Sequence, residues 1–164
     1  MTLRVCKVLL VFSVAIFYTL VVLNNTTDYY SNYRFVQHVL MMDSTIPGNN
    51  GMWRAINSPA IHTAFYISII AWEAMTMVLC WWGGARMAAA IGSAEAFGRA
   101  KNLAIVALTL SLLQWSVAFL SVGGEWFLMW QSRSWNGQDA AFRIFTVIGI
   151  VLLLVALKDE EDRP

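Results

Sequence analysis

Charge is scarce in this chain. Only 13% of its 164 residues are Asp, Glu, Lys or Arg, against roughly a quarter in soluble domains. The 11 cations and 10 acids leave a formal net charge of +1, which gives nucleic acid no electrostatic footprint. Cysteine is nearly absent too. Cys6 and Cys80 both fall at the expected cytoplasmic ends of their helices, where thiols stay reduced, which argues against a structural disulfide. It also argues against a quinone-linked disulfide-forming enzyme, which would need cysteine pairs on the outer side. There is no nucleophile set beside a base, no metal-ligand cluster, no phosphate-cradling loop and no internal repeat. The last of these removes support for an inverted-repeat transporter. No motif dictates a reaction.

Hydrophobic residues make up 59% of the chain. They gather in four runs, at about 5–23, 60–82, 103–122 and 140–157. A hydrocarbon core of about 30 Å needs about 20 helical residues at 1.5 Å each, so each run reads as a membrane span. The whole of 1–164 reads as one integral membrane domain. The first run follows Arg4 and Lys7 as a signal peptide would, but it leads into Asn24-Asn25-Thr26-Thr27 with no small-residue cleavage site, so it reads as a retained helix. Four spans put both termini on one side. The positive-inside rule then sets Arg4, Lys7, Arg86, Arg99, Lys101, Lys158 and Arg163 in the cytoplasm, against Arg34, Arg54, Arg133 and Arg143 outside. The tail from Lys158 to Arg163 mixes signs like a solvated helix end.

The first outer loop, about 24–59, is too long to be a mere connector. Helical spacing of Phe35, Val36, Val39, Leu40 and Met42 beside Arg34, Gln37 and His38 predicts an amphipathic helix there. Ser58-Pro59 starts the second span as N-cap and first-turn proline. Gly83-Gly84 is expected to weaken that helix as it leaves the membrane, with Gly92-Ser93 the turn before the third. The second outer loop, about 123–139, concentrates Trp126, Phe127, Met129, Trp130 and Trp135, as an interfacial aromatic belt does. The expected fold is therefore all-α, a four-helix transmembrane bundle with an extra amphipathic helix in the first outer loop.

Alternating steps of four and three put His62, Tyr66, Ile69, Glu73, Thr76 and Cys80 on one face of the second span. The same stepping puts Ala100, Ala104, Ala107, Ser111, Gln114, Ala118, Ser121 and Glu125 on one face of the third. Small and polar residues of this kind let membrane helices approach and bond across the contact. An acid at mid-membrane must be neutral or paired, and no cation lies at that depth. A hydrogen bond to Glu73 from Gln114 or Ser111 is the specific expectation. Glu73 would then act as a helix pin, a contact for a partner subunit's cation, or a proton relay in small-solute transport.

His38 and His62 are the only histidines. Facing imidazoles in a helical bundle can hold a b-type haem, and with Met41, Met42 and Met52 the same histidines form a weak copper candidate. The spacing matches neither signature, so no cofactor or metal is expected. In the outer loops Glu125, Trp126, Trp130, Trp135, Arg143, Arg54 and Asp43 could interlock as a lid or a docking surface, with an ion pair from Glu125 to Arg143 closing the second loop.

The run from Gly123 through Trp126, Trp130 and Ser132, then Trp135-Asn136-Gly137-Gln138 and Ala141-Phe142-Arg143, resembles the signature of an uncharacterised bacterial family of predicted small integral membrane proteins. The stretch Asn32 to Asp43, Trp53-Arg54-Ala55-Ile56 and Glu73 are similar to its first half. The resemblance implies a four-helix protein of a bacterial inner membrane and carries no assigned activity. The leading expectation for function is a non-catalytic accessory or assembly subunit of a larger membrane complex, or else a homo-oligomer. A haem-binding redox protein and proton-coupled transport through Glu73 stand behind it.

Overall fold

The computed structural model describes residues 1–159, and Arg163 of the cation count lies outside them. Its elements are helices: α1 (Thr2–Thr27), α2 (Tyr29–Met41), α3 (Pro59–Ala89), α4 (Ala94–Leu113) and α5 (Gln138–Ala156). A π-helix, Gln114–Trp126, follows α4 directly, and single 3₁₀ turns occupy Met52–Arg54 and Met129–Gln131. No strand occurs among the described residues. Four helical stretches are long and apolar enough to cross a membrane: Thr2–Thr27, Pro59–Ala89, Ala94–Trp126 and Gln138–Ala156.

The glycine pair at 83–84 acts differently from the sequence expectation. α3 runs straight through it to Ala89. Glycine in a helix costs up to about 1 kcal/mol against alanine, but here close packing offsets that cost. A Cβ on Gly83 would lie 2.8 Å from the Ala104 backbone nitrogen and 2.9 Å from its Cα, and one on Gly84 would lie 2.7 Å from the Phe12 ring. These glycines are contact points between helices. The chain turns over residues 90–93, and α4 starts where Ser93 Oγ accepts from the Ala96 amide at 3.3 Å, as an N-cap should.

The chain forms two compact units. The terminus-side unit comprises Met1–Val21, Glu73–Leu112 and the chain from Thr146 onward. Beyond the glycine contacts, Phe12 packs on Trp81 with ring centroids 5.4 Å apart, and the Trp81 indole donates to Thr19 Oγ1 at 3.0 Å. Tyr18 and Ser111 hydroxyls bond at 2.7 Å in the buried interior. Lys7 and Lys101 both donate to the Leu157 carbonyl, at 2.6 and 2.7 Å, and both pair with the Asp159 carboxylate, at 2.8 and 2.6 Å. Asp159, the last described residue, is not solvated: it is buried as the counter-charge of two buried lysines. Burial pushes its carboxyl up, but the hydrogen bonds and charges of Lys101 and Lys7 outweigh this and hold it below the usual carboxylate range.

The loop-side unit comprises Val22–Trp72 and Leu113–Phe145. Tyr29 and Tyr33 stack on one another and each meets Tyr66 edge to face, and the Tyr66 hydroxyl donates to the Asn25 carbonyl at 3.2 Å. α2 ends at Met42 in the left-handed conformation, φ 53°, with its amide donating to the Val39 carbonyl. Val39, Leu40 and Met42 then join Phe127 and Met129 in one buried cluster.

Candidate functional site

The π-helix shapes the loop-side unit. Its amides reach back five residues, as Phe127 does to the Val122 carbonyl at 3.0 Å. π geometry is normally confined to single turns, often at functional sites, and here it persists for 13 residues. The winding changes which residues face inward. Steps of four and three hold through Ser111 and Gln114, which are buried, and then fail. Gly123 and Gly124 are buried, whereas Ser121 and Glu125 are exposed. A side chain at Gly124 would collide with the Gln138 amide.

Beside this segment lies a half-open cavity of about 240 Å³. α2 contributes Phe35, Val36, Val39 and Leu40, and α3 contributes Phe65, Ser68, Ile69 and Trp72. The π-helix supplies Gln114, Val117, Ala118 and Val122, among others, and Phe127 and Met129 complete the lining. Two non-glycine residues of the loop-side unit have positive φ, Met42 (53°) and Leu128 (54°). Such backbone costs about 1 to 3 kcal/mol each and persists only where its surroundings over-determine it.

An aromatic ledge forms a second feature. The Arg54 guanidinium carbon lies 5.8 Å from the Trp53 ring and 5.3 Å from the Trp126 ring, and the two indoles meet edge to face at 5.7 Å. Arg54 also donates to the Glu125 carbonyl at 3.4 Å. Trp53 and Trp126 are 75% and 48% exposed, and Trp130 is 47% exposed. Trp53 and Trp126 are thus held in place by each other and by Arg54 while remaining exposed.

The remaining outer-loop candidates divide differently from the expectation. Glu125 forms no ion pair with Arg143 among the described residues; Arg143 instead donates to its own Asp139 carbonyl at 3.2 Å. Asp43 turns to His38, which donates Nδ1–H to it at 2.7 Å while stacking on Trp135 at 4.4 Å and 9°. Trp135 therefore packs against the buried cluster and stands apart from the exposed ledge.

A family model described as "Predicted small integral membrane protein (DUF2165)" matches residues 3–158. The chain belongs to that family. No curated protein and no solved structure matches it. Membership in DUF2165 accounts for the apolar helices and assigns no chemistry to any residue.

The structure places the polar seam residue by residue. Glu73, Thr76 and Ser111 are buried, all in the terminus-side unit, where Ser111 meets Tyr18. Gln114 is buried in the cavity wall of the loop-side unit. His62 is buried at the start of α3, where Nε2–H donates to the Ile56 carbonyl at 2.7 Å and Nδ1 has no hydrogen-bond partner. Among the described residues no group of three or more His, Cys, Asp or Glu is arranged to hold a metal ion. Sequence reasoning quoted Trp53 only within the family resemblance and did not place it among the loop candidates beside Arg54. It missed the cavity as well, since its walls come from three separated stretches.

Proposed function

We propose that the protein is a non-catalytic accessory or assembly subunit of a larger complex in a bacterial inner membrane, with both termini cytoplasmic. The Trp53–Arg54–Trp126 ledge carries the reading. Trp and Arg are the side chains most enriched at binding hot spots. Here the cation is held between two indoles before any partner arrives, so little side-chain entropy remains to be lost on docking. The acceptors of Arg54 are the Gly51 and Glu125 backbone carbonyls, and among the described residues no carboxylate pairs with it. The complementary partner surface is acidic or rich in carbonyls, on another membrane protein.

The test is co-purification of the tagged full chain, expressed at native level in mild detergent, with mass spectrometry of what accompanies it. A stoichiometric larger membrane protein is expected. Its recovery should fall by about thirtyfold for Arg54→Ala, the effect of losing a contact worth about 2 kcal/mol. Recovery of this chain alone, under conditions that keep other membrane complexes intact, sinks the reading.

A further inference from the structure

We infer that the loop-side cavity is a binding site for one acyl chain of a bilayer phospholipid. Its chemistry selects hydrocarbon. Apart from Gln114, Ser68 and the Trp72 indole, its wall side chains are hydrocarbon or thioether. The Ser68 hydroxyl is already donating to the Phe65 carbonyl at 2.7 Å. A buried water wants two to four polar partners, whereas apolar cavities of about 150 Å³ stay dry and take up benzene. At about 240 Å³ this cavity has room for more than a single ring.

Its mouth selects the source. Phe65 and Val117 line the cavity and are 38% and 49% exposed at its rim. Both belong to stretches long and apolar enough to cross a membrane. The surrounding medium at such a rim is lipid, so the species present at the highest concentration is the acyl chain itself. Phe127 and Met129, also in the lining, belong to the buried cluster. A chain end entering past Phe65 and Val117 would lie along Ile69 and Ala118. The π-helix forms the wall opposite α3, so its wide winding is part of what holds the space open.

The full chain is reconstituted in vesicles containing phosphatidylethanolamine with a diazirine near the end of one acyl chain, photolysed, and mapped by peptide mass spectrometry. Label on Ile69 and Ala118 should exceed label on the exposed α5 residues Val147, Ile150 and Leu153 by about tenfold, and unlabelled phospholipid should compete it away. Ala118→Phe, and Ile69→Trp from the opposite wall, should each cut cavity labelling by about tenfold while α5 labelling is unchanged. Equal labelling of cavity and α5 in the unaltered protein overturns the assignment, and that comparison does not depend on either variant folding. Cavity labelling that persists in both folded variants overturns it too. So does preferential labelling by a diazirine-bearing isoprenoid alcohol over the phospholipid, which would name a different occupant.

Discussion

Helices α1, α3 and α5 each contribute to both units, yet the units are built on different principles. In the terminus-side unit the described contacts are closed pairs: Gly83 against Ala104, Gly84 against Phe12, Tyr18 with Ser111, two lysines on Asp159 and a carbonyl. In the loop-side unit the backbone is wound as π and two non-glycine residues sit at positive φ. Natural proteins break local rules at functional sites and remain consistent elsewhere. The proposed docking ledge and acyl-chain cavity both fall in the unit that departs from those local rules.

Added bulk breaks the comparison most directly. Gly83→Ile places a branched side chain against the Ala104 backbone, which cannot give way as a side-chain tip would. A loss of about 3 kcal/mol or more is expected in reversible unfolding in mixed micelles. Asp159→Asn comes next. It leaves two buried lysines without a counter-charge, with an expected loss of about 2 kcal/mol. The sign with pH follows from the depressed folded-state carboxyl. Asp159 stabilises fully above the unfolded value of about 3.9 and loses its contribution as pH falls through the lower folded value. An acid titration of melting temperature should therefore show a destabilising step that Asp159→Asn lacks. Ala118→Phe adds as much volume as the first change, but into the cavity, and should shift stability by less than about 1 kcal/mol. A collapse comparable to that of Gly83→Ile would erase the distinction between the units. Smallest is Arg54→Ala, where an exposed cation–π contact is worth about 0.5 to 1 kcal/mol. Thermal melting should barely move while partner recovery drops.

Much of the fold was legible because the bilayer simplifies reading: apolar runs of sufficient length located all four candidate spans, and Ser58-Pro59 marked the start of α3. Misreadings arose where an assumption about winding or partners failed. Stepping by four and three carried Glu125 onto a buried stripe because it assumed an α-helix beyond Leu113, whereas the π-helix turns that position outward. Gly83-Gly84 looked like a weak exit because propensity is local, while the Ala104 backbone and Phe12 ring that use the missing side chains are distant in sequence. Glu125 and Arg143 looked like natural partners by charge, yet Arg54 reaches the carbonyl of the first and Asp139 satisfies the second. The tyrosine cluster needed Asn25 and Tyr66 brought beside Tyr29 and Tyr33, which no spacing announces.

The continuous stretch Ala94–Trp126 has 33 residues, which as pure α-helix would measure about 50 Å against a hydrocarbon core of about 30 Å. A π-turn takes in more residues and climbs less for each, so winding the last part this way shortens the rod. A membrane-spanning rod too long for its surroundings usually tilts or thickens the lipid around it. This one can instead trade length for girth, and the girth it gains forms a wall of the cavity. Several of the thirteen residues that shorten the stretch thus also line the cavity.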